Sequence, residues 1–248
     1  PAVKGAALVG KALDLLNLIG EAAPISAADL TARTGWPRAS VYRILSALTA
    51  GGDARLDPRE HGYVLGYRLL ELAQHARDAD NLIDIAAPEL RRLRNLTGET
   101  AYLVALQGDE AMSLSRLESP HAHRSLSIGH GVRRPLHCTA PGKAMLARVA
   151  QPRYFNAQPA AEIERRIEAP RLTRMTAASI TDPDELRLHL RDVNARGFAI
   201  DDEETLDGVR SVGAAIVDSD GRVLAGISIA GPAYRLTPAR AMQLGPDI

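Results

Sequence analysis

The stretch from Ile25 to Leu56 constrains this chain most, because it holds two short helical periods broken by a glycine turn. Ser26 is placed to cap the first helix, 26–34, and Asp29 three residues on echoes a capping box. Gly35 falls where a helix end needs left-handed backbone. Pro37 follows in the first turn of the second helix, where a missing N–H costs nothing. In that helix Val41, Ile44, Leu45 and Leu48 recur at the 3.6 period and form one apolar face. At about 100° per residue, Ala39, Arg43, Ser46 and Ala50 point the opposite way, with Ser40 and Tyr42 on the flanks. A short helix with an apolar back and a small, Arg-bearing front suits the DNA major groove. An ordinary helical hairpin on a domain surface satisfies the same pattern.

The flanking residues decide between the two. Upstream, Val9, Ala12, Leu13, Leu16 and Ile19 keep helical spacing, and Lys11, Asp14 and Asn17 interrupt what could pass for a signal core. Downstream, residues 54–57 and 63–65 are strand-like around a turn at 58–62. Three helices and a two-stranded ribbon are the plan of a winged helix-turn-helix, with Arg55, Arg59 and His61 on the wing near a phosphate backbone. Formal net charge is zero, so the whole chain gives no electrostatic argument for nucleic acid. Charge is uneven, however: from Arg33 to Arg59, five Arg stand against Asp53 and Asp57, a local balance of +3 on the candidate reading helix.

With 248 residues the chain is long enough for two modest domains. We expect a winged helix-turn-helix domain over 1–66, a linker helix over 67–80 and a second domain over 81–248, with the boundary near 78–81. Helical periodicity resumes after Gly66 and runs on through 83–96 to Gly98, with Pro88 marking a kink or a new start. Beyond it the fold class is α+β. Strands are expected at 100–106, 111–117, 198–201, 212–217 and 223–230, and residues 124–128 alternate apolar and polar. Helices are expected at 140–150, in segments up to Ile167, and from Asp182 to a stop at Gly197. One antiparallel sheet with helices packed on it follows. The lone Cys138 excludes an internal disulfide framework, and no apolar run approaches the roughly 18 residues a membrane span needs, so a cytoplasmic location is expected. The chain opens on Pro1 and stops soon after a helix signal at Thr237-Pro238, so both ends read as trimmed.

Several residues could carry chemistry. Pro141-Gly142-Lys143 lacks the upstream Gly and the following Ser/Thr of a phosphate loop, so nucleotide hydrolysis is rejected. Thr139 instead caps a helix whose N-terminus either receives an anion or simply starts the element. His121, His123, His130, His137 and Cys138 cluster, but their spacing matches no closed zinc site; neither metal nor cofactor is expected. Cys138 is either a nucleophile with His137 or His130 as base, or a half-buried cysteine in a small-residue turn. In Asp201-Asp202-Glu203-Glu204, strand alternation would put Asp201 and Glu203 on one face and Asp202 and Glu204 on the other, unless the run is a solvated loop. Ser211 and Ser228 are polar in apolar strands: satisfied sheet residues, or the lining of a pocket.

Taken together the chain resembles the IclR family of bacterial transcriptional regulators along essentially its whole length. The resemblance rests on Leu30 to Leu45, Tyr63 to Gly66, Pro135 to Ala144, Gly197 to Glu204, Ile227 to Pro232 and Arg235 to Thr237, in that order and spacing. It implies a winged helix-turn-helix joined by a linker helix to a GAF-like effector-binding domain, assembled as a homodimer or a dimer of dimers. It also implies a small metabolite, often an organic or aromatic acid, bound in a pocket involving Ala140, Pro141, Asp201, Ser211, Ser228 and Ala230. Three positions depart from the common pattern: 211 is often Cys, 141 is often Ala or Gln, and Gly52-Asp53-Ala54 replaces an apolar residue, which is expected to loosen the start of the wing.

The expected function is therefore an effector-responsive, sequence-specific regulator of transcription on a near-palindromic double-stranded operator. Arg43 would contact bases, with Arg38, Ser40, Tyr42 and Ser46 around it and Arg55 and Arg59 on the wing. The competing readings are an enzyme acting on a small acid through Cys138 or the 201–204 run, and a helix-turn-helix used only for protein contacts.

Overall fold

Ser26 caps α2 (Ala27–Thr34) through a hydroxyl that accepts from the Asp29 N–H at 3.0 Å. That hydroxyl in turn donates to the Asp29 carboxylate at 2.6 Å, where the second bond of a capping box would instead come from the Ser26 N–H. Gly35 then takes the left-handed conformation (φ 66°) that ends the helix. The next helix, α3 (Arg38–Gly51), starts one residue later than the proline suggested: Pro37 is its N-cap, and the Pro37 carbonyl accepts from Ser40 and Val41. The structure, a computed structural model, describes residues 6–79, 81–121, 131–149, 165–168 and 172–248. Two compact units divide between Asn81 and Leu82.

In the first unit α1 (Ala6–Ala22), α2 and α3 bury Leu15, Ile19, Leu30, Val41, Ile44, Leu45 and Leu48 in one core. β1 (Ala54–Leu56) and β2 (Tyr63–Leu65) pair antiparallel as the wing, and Ile25 bridges to Tyr63, fastening the ribbon to the chain ahead of α2. The expected loosening at 52–54 is not found. Gly52 caps α3 in a left-handed conformation, the Asp53 N–H donates to the Leu48 carbonyl, and Ala54 is buried. The Asp53 carboxylate also meets Arg68 at 3.0 Å, at the start of α4 (Arg68–Ala79).

The second unit opens with α5 (Leu82–Thr97), which carries Pro88 without interruption. Its six strands among the described residues are β3 (Thr100–Gln107), β4 (Glu110–Leu117), β5 (Arg133–Pro135), β6 (Ala199–Asp202), β7 (Val209–Val217) and β8 (Val223–Pro232). They form one antiparallel sheet in the order β5-β4-β3-β8-β7-β6. The side-chain period of two separates the faces. Ala101, Leu103, Val212, Ala225, Ile227 and Ile229 join one core with α5 and α8 (Pro238–Leu244). Tyr102, Val104, Ala111 and Ala199 join the other, with α6 (Ala140–Val149) and α7 (Pro183–Arg196). β5 was not anticipated; the alternation at 124–128 and much of the helical run up to Ile167 lie outside the described residues.

Two glycines seat α6 on the sheet. A Cβ at Gly213 would stand 2.7 Å from the Pro141 nitrogen, and one at Gly226 would stand 2.8 Å from the Pro141 Cβ. Side chains there would push the N-terminus of α6 off β7 and β8. At the sheet's far end Glu99, buried, takes a bidentate bond from Arg235 at 2.7 Å and a second guanidinium from Arg240 at 3.4 Å. That junction ties α8 to the start of β3. No helix among the described residues is long and apolar enough to cross a membrane.

Candidate functional site

On α3 the buried Val41, Ile44, Leu45 and Leu48 fix which side faces out, so Arg38, Tyr42, Arg43 and Ser46 are exposed and Ser40 is half-buried. Arg38 is tied to Tyr42 one turn on: its guanidinium donates to the phenol at 3.3 Å and lies 5.2 Å from the ring centre. Among the described residues Arg43 has no hydrogen bond or ion pair, so its five donors are unspent. On the wing the two cations differ. Arg55 is half-buried and lays its guanidinium over the Tyr67 ring at 4.9 Å. Arg59 is exposed on the turn, where Asp57 accepts backbone N–H bonds from Arg59 and Glu60.

In the second unit the α6-facing side of the sheet and the N-terminus of α6 enclose a cavity of about 80 Å³. Pro141, Asp201, Ser211, Ser228 and Ala230 line it. Alternation puts them there: Asp201 pairs with Ser211, and Ser211 with Ala230, across three neighbouring strands. Ala140 is not on the wall; it is fully buried at the start of α6, its carbonyl carbon against Gly213. Tyr102, Val104, Ser113, Val132, Arg134 and Thr205 also line the cavity and were not anticipated, and Thr139, expected only as a helix cap, joins them. Thr139 caps α6 by accepting from the Gly142 N–H at 3.1 Å.

The acidic run does not follow strand alternation. β6 ends at Asp202, and Glu203 is left-handed (φ 62°), which reverses the chain and returns Glu204 to the interior beside Asp201. Thr176 and Ser179 hold that turn by donating to the carbonyls of Glu203 and Glu204 at 2.7 Å. Asp202 and Glu203 share Arg210 instead. Asp201 accepts from the N–H groups of Glu204 (2.8 Å) and Thr205 (3.3 Å) and from the Ser211 hydroxyl (3.2 Å). Burial pushes its carboxyl above the usual range against the opposing pull of Lys143.

Lys143, fully buried, makes an ion pair with Glu204. Burial outweighs the attraction of Lys143 and pushes the Glu204 carboxyl up to about 7. Cys138 is fully buried as well, and the loss of water raises its thiol to about 11, which disfavours the thiolate a nucleophile needs. The His137 ring bonds the Thr173 carbonyl at 3.0 Å, while His123 and His130 lie outside the described residues. Among the described residues no three His, Cys, Asp or Glu side chains gather as a metal site.

His189 on α7 gives this interior a pH dependence. Burial, then the charges of Lys143 and Arg196, lower its imidazole to about 4, and burial lowers His137 too. The folded protein holds His189 neutral while the unfolded chain takes up a proton below about 6.5. Stability present above pH 6.5 is therefore lost as pH falls towards 4. Glu204 pulls the other way over the same range, so the His189 share is read as a difference: between pH 7 and pH 5 in urea unfolding, wild type should fare worse than His189→Gln, and an equal change in the two would clear His189.

Residues 8–58 match the family model of the IclR helix-turn-helix domain, and residues 74–247 match that of the bacterial transcriptional regulator IclR C-terminal domain. The HTH-type transcriptional regulator BhcR of Paracoccus denitrificans (strain Pd 1222) is 34% identical over 236 residues, which is 95% of this chain and 81% of that protein. The crystal structure of Thermotoga maritima IclR matches with a TM-score of 0.71 at 28% identity, covering 96% of this chain and 92% of that one. A Microbacterium hydrocarbonoxydans IclR homolog, crystallised with 4-hydroxybenzoate, has the same fold: TM-score 0.78, 22% identity, 97% of this chain and 95% of that one.

Proposed function

The chain belongs to the IclR family of bacterial transcriptional regulators, and from that premise we propose which surfaces carry the two halves of its work. It is a helix-turn-helix regulator of transcription, as its relatives are. We assign base reading to Arg43, with Ser46 beside it on the exposed face of α3. The Arg38–Tyr42 pair and Ser40 position the helix, and Arg59 contacts phosphate from the wing turn. A homodimer or dimer of dimers presents two such helices to a near-palindromic operator in the cytoplasm.

The regulating signal is a small organic acid bound in the cavity beneath α6. What carries this reading is Arg134 on the cavity wall, a cation with no ion pair among the described residues. The acid held by the Microbacterium neighbour supports it. A catalytic role for Cys138 has no such support, since its thiol is buried and raised to about 11.

The test has two steps. Selection from random duplex DNA is expected to recover an inverted repeat, and a panel of small carboxylic acids is then expected to shift the affinity for that duplex. Recovery of only unrelated sequences would sink the operator half. A panel of acids that leaves both the affinity and the melting temperature unmoved would sink the effector half.

A further inference from the structure

The cavity has two unlike ends. On the β4–β5 side, Arg134 sits opposite Ala111, and Ser113 follows two residues along β4 on the same face. Ser113 is only 4% exposed, and among the described residues its hydroxyl has no hydrogen-bond partner. The Arg134 Nε is likewise buried and unpartnered, and its only bond among the described residues is a long one to the neighbouring Arg133 carbonyl (3.4 Å). Buried polar groups are rarely left so, because each loses its water without replacement. On the β6–β7 side stands the carboxylate of Asp201, 4% exposed, already accepting from two N–H groups and one hydroxyl. Between these ends Tyr102, Val104 and Ala230 supply an apolar middle. No bond joins Arg134 to Asp201 among the described residues, although both face the same space.

A plain anion satisfies only half of this. It gains at Arg134 but brings no donor to Asp201, whose oxygens accept every bond they make among the described residues. Resting on the reading of this cavity as the effector site, we propose that its ligand is a small hydroxy acid: the carboxylate takes paired bonds from Arg134 and a third from Ser113, and a hydroxyl at the opposite end donates to Asp201. Arg134 and Ser113 thus select an acid over its amide, and Asp201 selects a hydroxy acid over the same acid without its hydroxyl. The planar guanidinium suits a carboxylate bidentately, which an amide cannot reproduce.

Calorimetric titration of the full chain tests this with matched probes: 4-hydroxybenzoate and 3-hydroxybutyrate, each beside its deoxy acid (benzoate, butyrate) and its amide. At least one hydroxy acid is expected to bind about tenfold or more tighter than both of its partners. Arg134→Gln, or the gentler Ser113→Ala, should shrink the preference for acid over amide while sparing that for the hydroxyl. Asp201→Asn should do the reverse. Deoxy acids that bind as tightly as their hydroxy partners in both pairs, or an acid-over-amide ratio untouched by Arg134→Gln in a variant that melts like wild type, overturn this inference and leave the acid-effector reading standing. Absence of binding by every acid at millimolar concentration overturns both. The wild-type comparison carries the test even if Asp201→Asn fails to fold.

Discussion

Replacing Lys143 with Met is expected to cost about 3–5 kcal/mol of stability at pH 8, the penalty for stranding a buried charge. Lys143 is fully buried on α6 and its ammonium is the cation that Glu204 meets. The second Glu204 oxygen has no hydrogen-bond partner among the described residues, and Asp201 lies close enough to push its carboxyl further up. Without Lys143 two buried acids face each other with no ion-paired cation among the described residues. The cost has a signature. In wild type the Glu204 carboxyl is already raised from 4.5 to about 7, so its deprotonation costs stability as pH rises through that range. In Lys143→Met it rises further, and the folded protein relieves the strain by keeping Glu204 protonated, so the penalty should shrink towards pH 5. The double variant Lys143→Met, Glu204→Gln should recover most of the loss at pH 8, since it removes both charges. Denaturant melts at the two pH values decide it. A single-variant loss independent of pH, with no recovery in the double, would mean that Lys143 matters through packing alone.

Arg43→Ala is expected to cost about 1–3 kcal/mol of specific operator binding, roughly 5- to 150-fold, while leaving non-specific binding nearly unchanged. The apolar back of α3 fixes its orientation, and Arg43 alone among the arginines of that helix has no partner among the described residues, whereas Arg38 is tied to Tyr42. Arg59→Ala should behave differently: removing a cation from a phosphate weakens binding to all sequences alike and flattens the salt dependence by about one unit of slope. Anisotropy titrations on the selected operator and on a scrambled duplex, each at several salt concentrations, separate the two behaviours. Equal losses on both duplexes for Arg43→Ala would remove it from base reading.

Periodicity carried the helix-turn-helix because that unit is local. Capping chemistry at Ser26 and Gly35 and the apolar face from Val41 to Leu48 lie within a few turns of one another, so spacing alone reports them. The long strands showed for the same reason. What escaped needs the third dimension. β5 is three residues at a sheet edge, too short to show alternation, and Arg134 went with it; Ser113 lies on β4, an expected strand, but nothing local marks it as facing a cavity. Lys143 is one of two cations on α6, and nothing in its spacing marks it as buried until Glu204, 61 residues on, supplies its partner. The acidic run was misjudged because the alternation rule assumes a continuing strand, and a single left-handed residue, Glu203, reversed it. Nothing in the residue type announces that conformation.

The strand order sets a timetable for synthesis. At the centre of the sheet β3 pairs with β8, and β8 begins at Val223, more than a hundred residues after β3 ends. A ribosome emitting this chain releases the first unit, whose contacts are local and quick to form, long before the sheet has its middle strand. Until then β3 and β7 each lack the neighbour that lies between them, and their unpaired edges are the places where a nascent chain can pair wrongly. A chain stopped at Val217 would thus carry a finished DNA reader with a sensor that cannot close.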